Sequence, residues 1–230
     1  MAEKKVIDIE LYEAAASTQN DTAADDKLVA LLKSRRIPDQ EIMSYKTPSL
    51  NTLLHIASVK GNLSVVSCIL RLHRGSISAK NLKLETALHL AARFGYGEVV
   101  EALLGRMKEK QDTTMLTTTD ERGNTAAHRA VLNRHHQTVQ ALMKYDPGVS
   151  SYSKNEVLTI LNDEGESPLY IAVKEGKNVE LVKSMLDRLD LADKGKLMEA
   201  GKPLLYPAIM AKNKELSISV PKCKKEEMRE

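Results

Sequence analysis

A six-residue motif that recurs at intervals of 34 to 42 residues most constrains how this chain folds. The motif reads Thr, any residue, Leu, His, any residue, Ala, and a glycine and two apolar pairs typically follow it. Its clear copies begin at Thr52, Thr86, Thr125 and Ser167, and a decayed fifth copy ends at Ala208. Repetition at this period indicates stacked similar units rather than one large core, so the sequence predicts a solenoid.

Each copy carries residue types that begin and end helices. The threonines and Ser167 are typical N-caps, and Pro168 follows at the first helical position, where a missing N–H is harmless. Gly61, Gly95 and Gly176 fit a turn between two helices, because glycine adopts positive φ at little cost. The apolar pairs then form one face of the second helix. Glycines two residues before the caps predict the tip of a hairpin-like finger between repeats: Gly123, Gly165 and Gly201.

The motif and its period identify the chain as an ankyrin-repeat protein, whose period is about 33 residues and whose signature is Thr-Pro-Leu-His-x-Ala. We therefore predict an all-α ankyrin-repeat solenoid of stacked helix–turn–helix repeats with hairpin-like fingers and degenerate capping units at both ends. The longer intervals predict insertions outside the helices, around residues 108–119 and 146–161. The predicted organisation is an N-terminal capping unit over 1–45, an ankyrin-repeat domain over 46–220 with four sound repeats and a broken fifth, frayed from residue 210, and a disordered charged tail over 221–230.

Two segments resemble one family of ankyrin proteins in particular. Residues 47–57, which begin Thr-Pro, and residues 162–172, which carry tyrosine in the usual histidine position, are similar to the plant ankyrin–transmembrane family of the accelerated-cell-death type. The resemblance implies a regulator of defence and cell death that acts through protein contacts at a membrane. In that family the repeats lead into a multi-helix membrane segment, whereas this sequence has no apolar run long enough to span one. An alternative function is therefore a soluble truncated decoy that competes with longer, membrane-anchored relatives.

Composition argues against several other classes of function. A net charge of +3 and an aromatic content of 3% are unfavourable for nucleic-acid binding. The N-terminus has no secretory apolar region, and two cysteines suit a reducing compartment, so we expect a cytoplasmic protein that reaches the inner face of the plasma membrane through partners. No phosphate loop, dinucleotide fingerprint or zinc-binding spacing occurs, so we expect no enzyme activity, cofactor, metal or small-molecule substrate.

The histidines invite a catalytic or metal interpretation, but a structural role fits them better. His55, His89 and His128 each lie three residues after a cap threonine, within reach of hydrogen bonds in the first helical turn. They also belong to different repeats. The pair His135-His136 lies where other repeats carry the turn glycine and its neighbour, and it has no carboxylate or cysteine at ligand spacing.

Partners of such arrays bind the concave face made by the fingers and first helices, so we expect other proteins there, with membrane-anchored ankyrin relatives or receptors as candidates. Phe94, the only phenylalanine, is a candidate hot spot, with partial burial under the next repeat as the alternative. The acidic fourth finger favours a partner with a basic patch, unless it is simply a solvated finger. The candidate partner-binding residues are Lys60, Lys83, Leu84, Arg93, Phe94, Glu121, Arg122, Asn133, Asp163, Glu164, Glu166 and Lys174.

Overall fold

A computed structural model describes residues 5–18, 23–73, 77–110, 114–145 and 156–189. The chain divides into two compact units, residues 1–147 and 148–230. The fifth motif copy, Gly201, the segment expected to fray from residue 210 and the charged tail lie outside the described residues. Within the described ranges, no helix is both long and apolar enough to cross a membrane.

The first unit consists of helix pairs that stack on one another. The described helices of this unit are α1 Ile9–Ala16, α2 Ala24–Ser34, α3 Leu53–Lys60, α4 Leu63–Leu72, α5 Ala87–Phe94, α6 Gly97–Lys110, α7 Thr114–Thr117, α8 Ala126–Leu132 and α9 His136–Lys144. A 3-10 helix, Asp39–Ser44, precedes α3. First helices pack on first helices, α1 on α3, α3 on α5 and α5 on α8, while second helices pack as α2 on α4, α4 on α6 and α6 on α9. This stacking confirms the predicted all-α solenoid.

In the first unit, α3 and α5 begin and end at the residues that the sequence predicts, and α8 begins after Thr125 as predicted. At the start of α5, Thr86 Oγ1 accepts a hydrogen bond from the His89 N–H at 3.5 Å, and the Thr86 N–H donates to His89 Nδ1 at 3.2 Å. The same reciprocal capping box occurs at Thr52 and Thr125. Gly95 caps the C-terminal end of α5, and its φ of 77° places it in the left-handed region.

Replacing Thr86 by alanine should cost about 1 kcal/mol of stability, because the first turn of α5 loses its cap. Urea unfolding followed by circular dichroism measures this loss. Ser67→Ala, on the exposed side of α4, is the control and should change stability by less than about 0.5 kcal/mol. An unchanged urea midpoint for Thr86→Ala would mean that Thr86 does not cap α5.

The core is a row of apolar side chains buried between the stacked helices. The alanines that end the motif, Ala57, Ala91 and Ala130, are fully buried, which lets neighbouring first helices approach closely. At the N-terminal end, Leu11 and Leu28 of α1 and α2 are also fully buried. Burying each leucine contributes roughly 1.5–3 kcal/mol. The buried apolar residues of the second helices include Val65, Val66, Ile69, Leu70, Val99, Val100, Leu103, Leu104, Val139, Leu142 and Met143.

The insertion predicted around residues 108–119 is partly helical, which differs from the prediction that insertions fall outside the helices. The helix α6 continues to Lys110, and the four-residue α7 follows at Thr114–Thr117. The reason is apolar burial, since Met107, Met115 and Leu116 enter the core. Part of the second insertion is also helical, because Leu158 is buried in a short helix, α10, over residues Glu156–Thr159.

The described part of the second unit is one helix pair preceded by α10, Glu156–Thr159. The helix α11, Pro168–Glu175, begins after Ser167, whose Oγ accepts a hydrogen bond from the Tyr170 N–H at 3.0 Å. It ends at Gly176, where φ is 61°. The helix α12, Val179–Arg188, follows. These two helices lie where the fourth motif copy predicts them.

Candidate protein-interaction surface

The fingers between repeats are tight turns held by a side chain that the sequence analysis did not single out. We call residues 47–51 finger 1, 81–85 finger 2, 120–124 finger 3 and 162–166 finger 4. In finger 2, Asn81 Oδ1 accepts from the N–H groups of Lys83 and Glu85, both at 2.9 Å. Asp120 in finger 3 and Asn162 in finger 4 make the same two bonds. The sequence does contain a signal for this turn, because an Asn or Asp stands three residues before the finger glycine in fingers 3 and 4.

The fingers of the first unit are joined into a ladder by their backbones. The Leu82 N–H of finger 2 donates to the Ser49 carbonyl of finger 1 at 3.0 Å, and the Glu121 N–H of finger 3 donates to the Lys83 carbonyl at 3.0 Å. The turns are thus fixed both internally and to one another. This arrangement presents their tips as a preformed surface.

The motif histidines join each repeat to the next. His55 Nδ1 accepts from the Thr52 N–H at 3.2 Å, so Nε2 carries the proton and donates to the Glu85 carbonyl at 3.0 Å. His89 makes the equivalent bond to the Asn124 carbonyl at 3.0 Å. Burial lowers the pKa of His55 to about 4 and lowers that of His89, so both rings are neutral at pH 7. These contacts support the structural role predicted for the histidines and add a bond to the following finger.

Two carboxylates at the base of fingers 2 and 3 lie in an ion-pair network. Glu85 Oε1 is 3.6 Å from Arg93 Nη1 and 3.9 Å from Arg129 Nη2. Arg129 Nε donates to Asp120 Oδ2 at 2.6 Å. Both carboxylates are buried, so their charges are compensated inside the scaffold rather than offered to a partner.

Finger 4 of the second unit has a similar ion pair between a buried carboxylate and a basic side chain. Lys174 Nζ lies 3.0 Å from Glu166 Oε1, and the hydrogen bond to that carboxylate raises the pKa of Lys174. Glu166 is only 5% exposed. Its carboxylate therefore belongs to the base of finger 4, whereas the neighbouring Asp163 and Glu164 are exposed.

Phe94 closes α5 and is 43% exposed, with its ring against two neighbours. The ring stacks on Tyr96 at a centroid distance of 6.3 Å, and the Arg93 guanidinium lies 5.6 Å from the Phe94 centroid. One face of the Phe94 ring is thus covered by neighbours and the rest is open to solvent. This lies between the two alternatives from the sequence, an exposed hot spot and partial burial under the next repeat. A supported, half-exposed aromatic is suited to a binding contact.

The other predicted residues of the first unit lie at the fingers and at the ends of the first helices. Arg93 is half-buried along α5. The structure brings the finger 2 and finger 3 residues together through the backbone ladder. The exposed ones are Lys60, Lys83, Leu84, Glu121, Arg122 and Asn133.

Three non-glycine residues occupy positions where other repeats use glycine. Leu50 and Leu84 have φ values of 60° and 57°, at the finger position of Gly123 and Gly165. Arg134 has a φ of 63° at the turn position of Gly95. The alignment of His135-His136 with the turn glycine was therefore wrong by one residue. His135 follows the turn, and its Nε2 donates to the Arg93 carbonyl at 3.0 Å.

No group of three His, Cys, Asp or Glu side chains within the described ranges could hold a metal ion.

Cys68 is buried, as expected, and burial raises the pKa of its thiol, which disfavours the reactive thiolate. What the described surface offers is exposed fingers and half-exposed helix ends.

Comparison with known proteins agrees with this architecture. The sequence pattern of the family described as Ankyrin repeats (3 copies) matches residues 13–115 and residues 106–196. The chain is 35% identical over 127 residues to a transient receptor potential cation channel subfamily A member 1 homolog of Caenorhabditis elegans, covering 55% of this chain and 9% of that protein. It is 28% identical over 169 residues to the protein ACCELERATED CELL DEATH 6 of Arabidopsis thaliana, covering 69% of this chain and 24% of that protein. The chain thus spans no more than a quarter of the length of these relatives.

Proposed function

This chain belongs to the ankyrin-repeat family, and from that premise we propose that it is a non-enzymatic protein-binding scaffold in defence and cell-death signalling. The family membership implies protein–protein interaction, and the similarity to ACCELERATED CELL DEATH 6 supports the signalling context. The observation that carries the binding function is the ladder of fingers 1–3, which holds exposed side chains on a fixed backbone. Such preorganisation reduces the entropy lost on binding.

The proposed contact surface consists of the finger tips and the exposed ends of the first helices. In the first unit this surface includes Lys83, Leu84 and Phe94. The second unit, taken by itself, exposes Asp163 and Glu164 on finger 4 as candidate contacts. We place the protein in the cytoplasm, where membrane-anchored ankyrin relatives or receptors would bring it to the inner face of the plasma membrane.

Phe94→Ala should weaken partner binding by at least about tenfold and leave the melting temperature almost unchanged, because the ring is half exposed. The measurement is capture of proteins by the tagged full chain, with cytosol and detergent-solubilised membranes examined separately. Glu101→Ala, on the exposed side of α6, is the control and should capture the same proteins as the wild type.

The proteins captured from cytosol and from solubilised membranes distinguish between the possible classes of partner. Membrane ankyrin proteins that depend on Phe94 would support a scaffold that competes with longer relatives, whereas receptors would support an adaptor. If the wild type and Phe94→Ala capture the same proteins in equal amounts, Phe94 is not a contact. If the wild type captures only chaperones, the proposed function is wrong.

A further inference from the structure

We propose that finger 2 and the cations beside it bind an acidic segment of a partner protein that also carries large apolar side chains. The inference rests on the proposed function, because it assigns a partner class to part of the same surface. Its basis is the exposure, backbone strain and charge of residues 80–84 and of the neighbouring finger tips.

Finger 2 exposes two leucines within three residues. Leu82 is 63% exposed and Leu84 is 46% exposed, although both stand on a turn fixed by Asn81. Single exposed leucines are common on protein surfaces, but two on one rigid turn form a local apolar patch. The ladder bond from Leu82 to Ser49 places this patch beside finger 1, where Leu50 is half-buried.

Leu84 also holds a strained backbone conformation. Its φ of 57° lies in the left-handed region, where fingers 3 and 4 carry glycine. Because glycine would remove the steric conflict, the fold itself does not require leucine at this position. Strain of this kind at an exposed residue points to a role for its side chain outside the scaffold.

The charges around the two leucines are mainly positive. Lys80, Lys83 and Arg122 are exposed, and Glu121 is the one exposed carboxylate on the tips of fingers 2 and 3. The carboxylates at the base of these fingers are buried and paired with arginine. The patch therefore complements acidic side chains that accompany apolar ones.

A protein segment fits this surface better than a nucleic acid does. Phosphates would be attracted to the cations, but the leucines between them offer neither hydrogen bonds nor the stacking planes that bases use. Leucine, isoleucine or phenylalanine side chains of a partner would cover the exposed apolar area, while aspartate or glutamate beside them would meet Lys83 and Arg122. Since these charges are exposed, binding should weaken as salt is added.

The test selects short random displayed peptides on the full chain and sequences the enriched ones. We expect enrichment of peptides that combine Asp or Glu with Leu, Ile, Phe or Met. The variant Leu82→Ser/Leu84→Gly should reduce their binding by about tenfold or more, and so should Lys83→Glu/Arg122→Glu. Ile9→Ser, which removes an exposed apolar side chain at the first residue of α1, ahead of all the fingers, is the matched control and should bind them as the wild type does.

Folding is checked separately with Leu84→Gly, which should melt at the wild-type temperature or higher because the left-handed strain is removed. A clearly lower melting temperature would contradict the argument from strain. Selection of basic or wholly polar peptides, equal binding to Leu82→Ser/Leu84→Gly, or no selective enrichment would overturn the inference. The capture experiment with Phe94→Ala uses natural partners, so it decides the proposed function independently of this result.

Discussion

Replacing Gly95 by alanine should lower the free energy of unfolding by roughly 3 kcal/mol. Two effects add at this residue. Its φ of 77° is unfavourable for alanine, and a Cβ there would lie 2.6 Å from Cγ of the His135 ring. That ring cannot move away freely, because its Nε2 donates to the Arg93 carbonyl. In the variant, either the backbone at residue 95 is strained or the His135 ring of the next repeat is displaced.

Urea unfolding monitored by circular dichroism measures the loss, and two variants provide matched controls. Gly105→Ala should raise stability by roughly 0.5–1 kcal/mol, since Gly105 lies inside α6 with nothing within 4 Å of the added methyl. Arg134→Gly should keep or raise stability, because it removes a positive φ from a non-glycine residue. A Gly95→Ala protein as stable as the wild type would refute the close approach of His135.

Stability should fall as the pH is lowered from 7.5 to 5, with His55 alone contributing a loss of about 2 kcal/mol. The pKa of His55 is lowered from 6.5 to about 4 by burial, so the unfolded chain binds a proton at a higher pH than the folded chain does. Each step below pH 6.5 therefore favours the unfolded state. The effect approaches its full size as the pH nears the folded pKa. Burial also lowers the pKa of His89, which adds a loss in the same direction.

The measurement is the free energy of unfolding in urea at several pH values between 7.5 and 5. His55→Gln removes the titrating ring, so the variant should be less stable at pH 7.5 and lose less stability on acidification. A variant with the same pH dependence as the wild type would show that His55 is not neutral and buried in the folded chain.

The features of the fold that could be predicted from the sequence are those set by contacts between residues close together in the chain. The helix starts follow from contacts within four residues, such as the Thr86 cap and the His89 ring that completes it. The turn glycines Gly61, Gly95 and Gly176 were predicted for the same reason, because positive φ is a property of a single residue. The apolar pairs of the second helices predicted their buried faces.

Features that depend on distant residues could not be predicted in this way. Arg129 stands where other repeats carry an apolar residue, and its pairing with Glu85 and Asp120 requires two fingers to be in place. The pairing of the buried Glu166 with Lys174 likewise depends on how finger 4 packs against α11. The strain of Leu84 was also missed, since leucine itself does not signal a left-handed conformation.

Beside the ion pair between Glu85 and Arg129, five hydrogen bonds between neighbouring repeats of the first unit are accepted by main-chain atoms. The carbonyls of Ser49, Lys83, Glu85, Arg93 and Asn124 accept the bonds that link one repeat to the next. A carbonyl is present whatever side chain its residue carries. Amino acids at the exposed acceptor positions are therefore interchangeable as far as the joints are concerned. Such a scaffold lets its specificity diversify, or be redesigned, one finger at a time while the architecture stays the same.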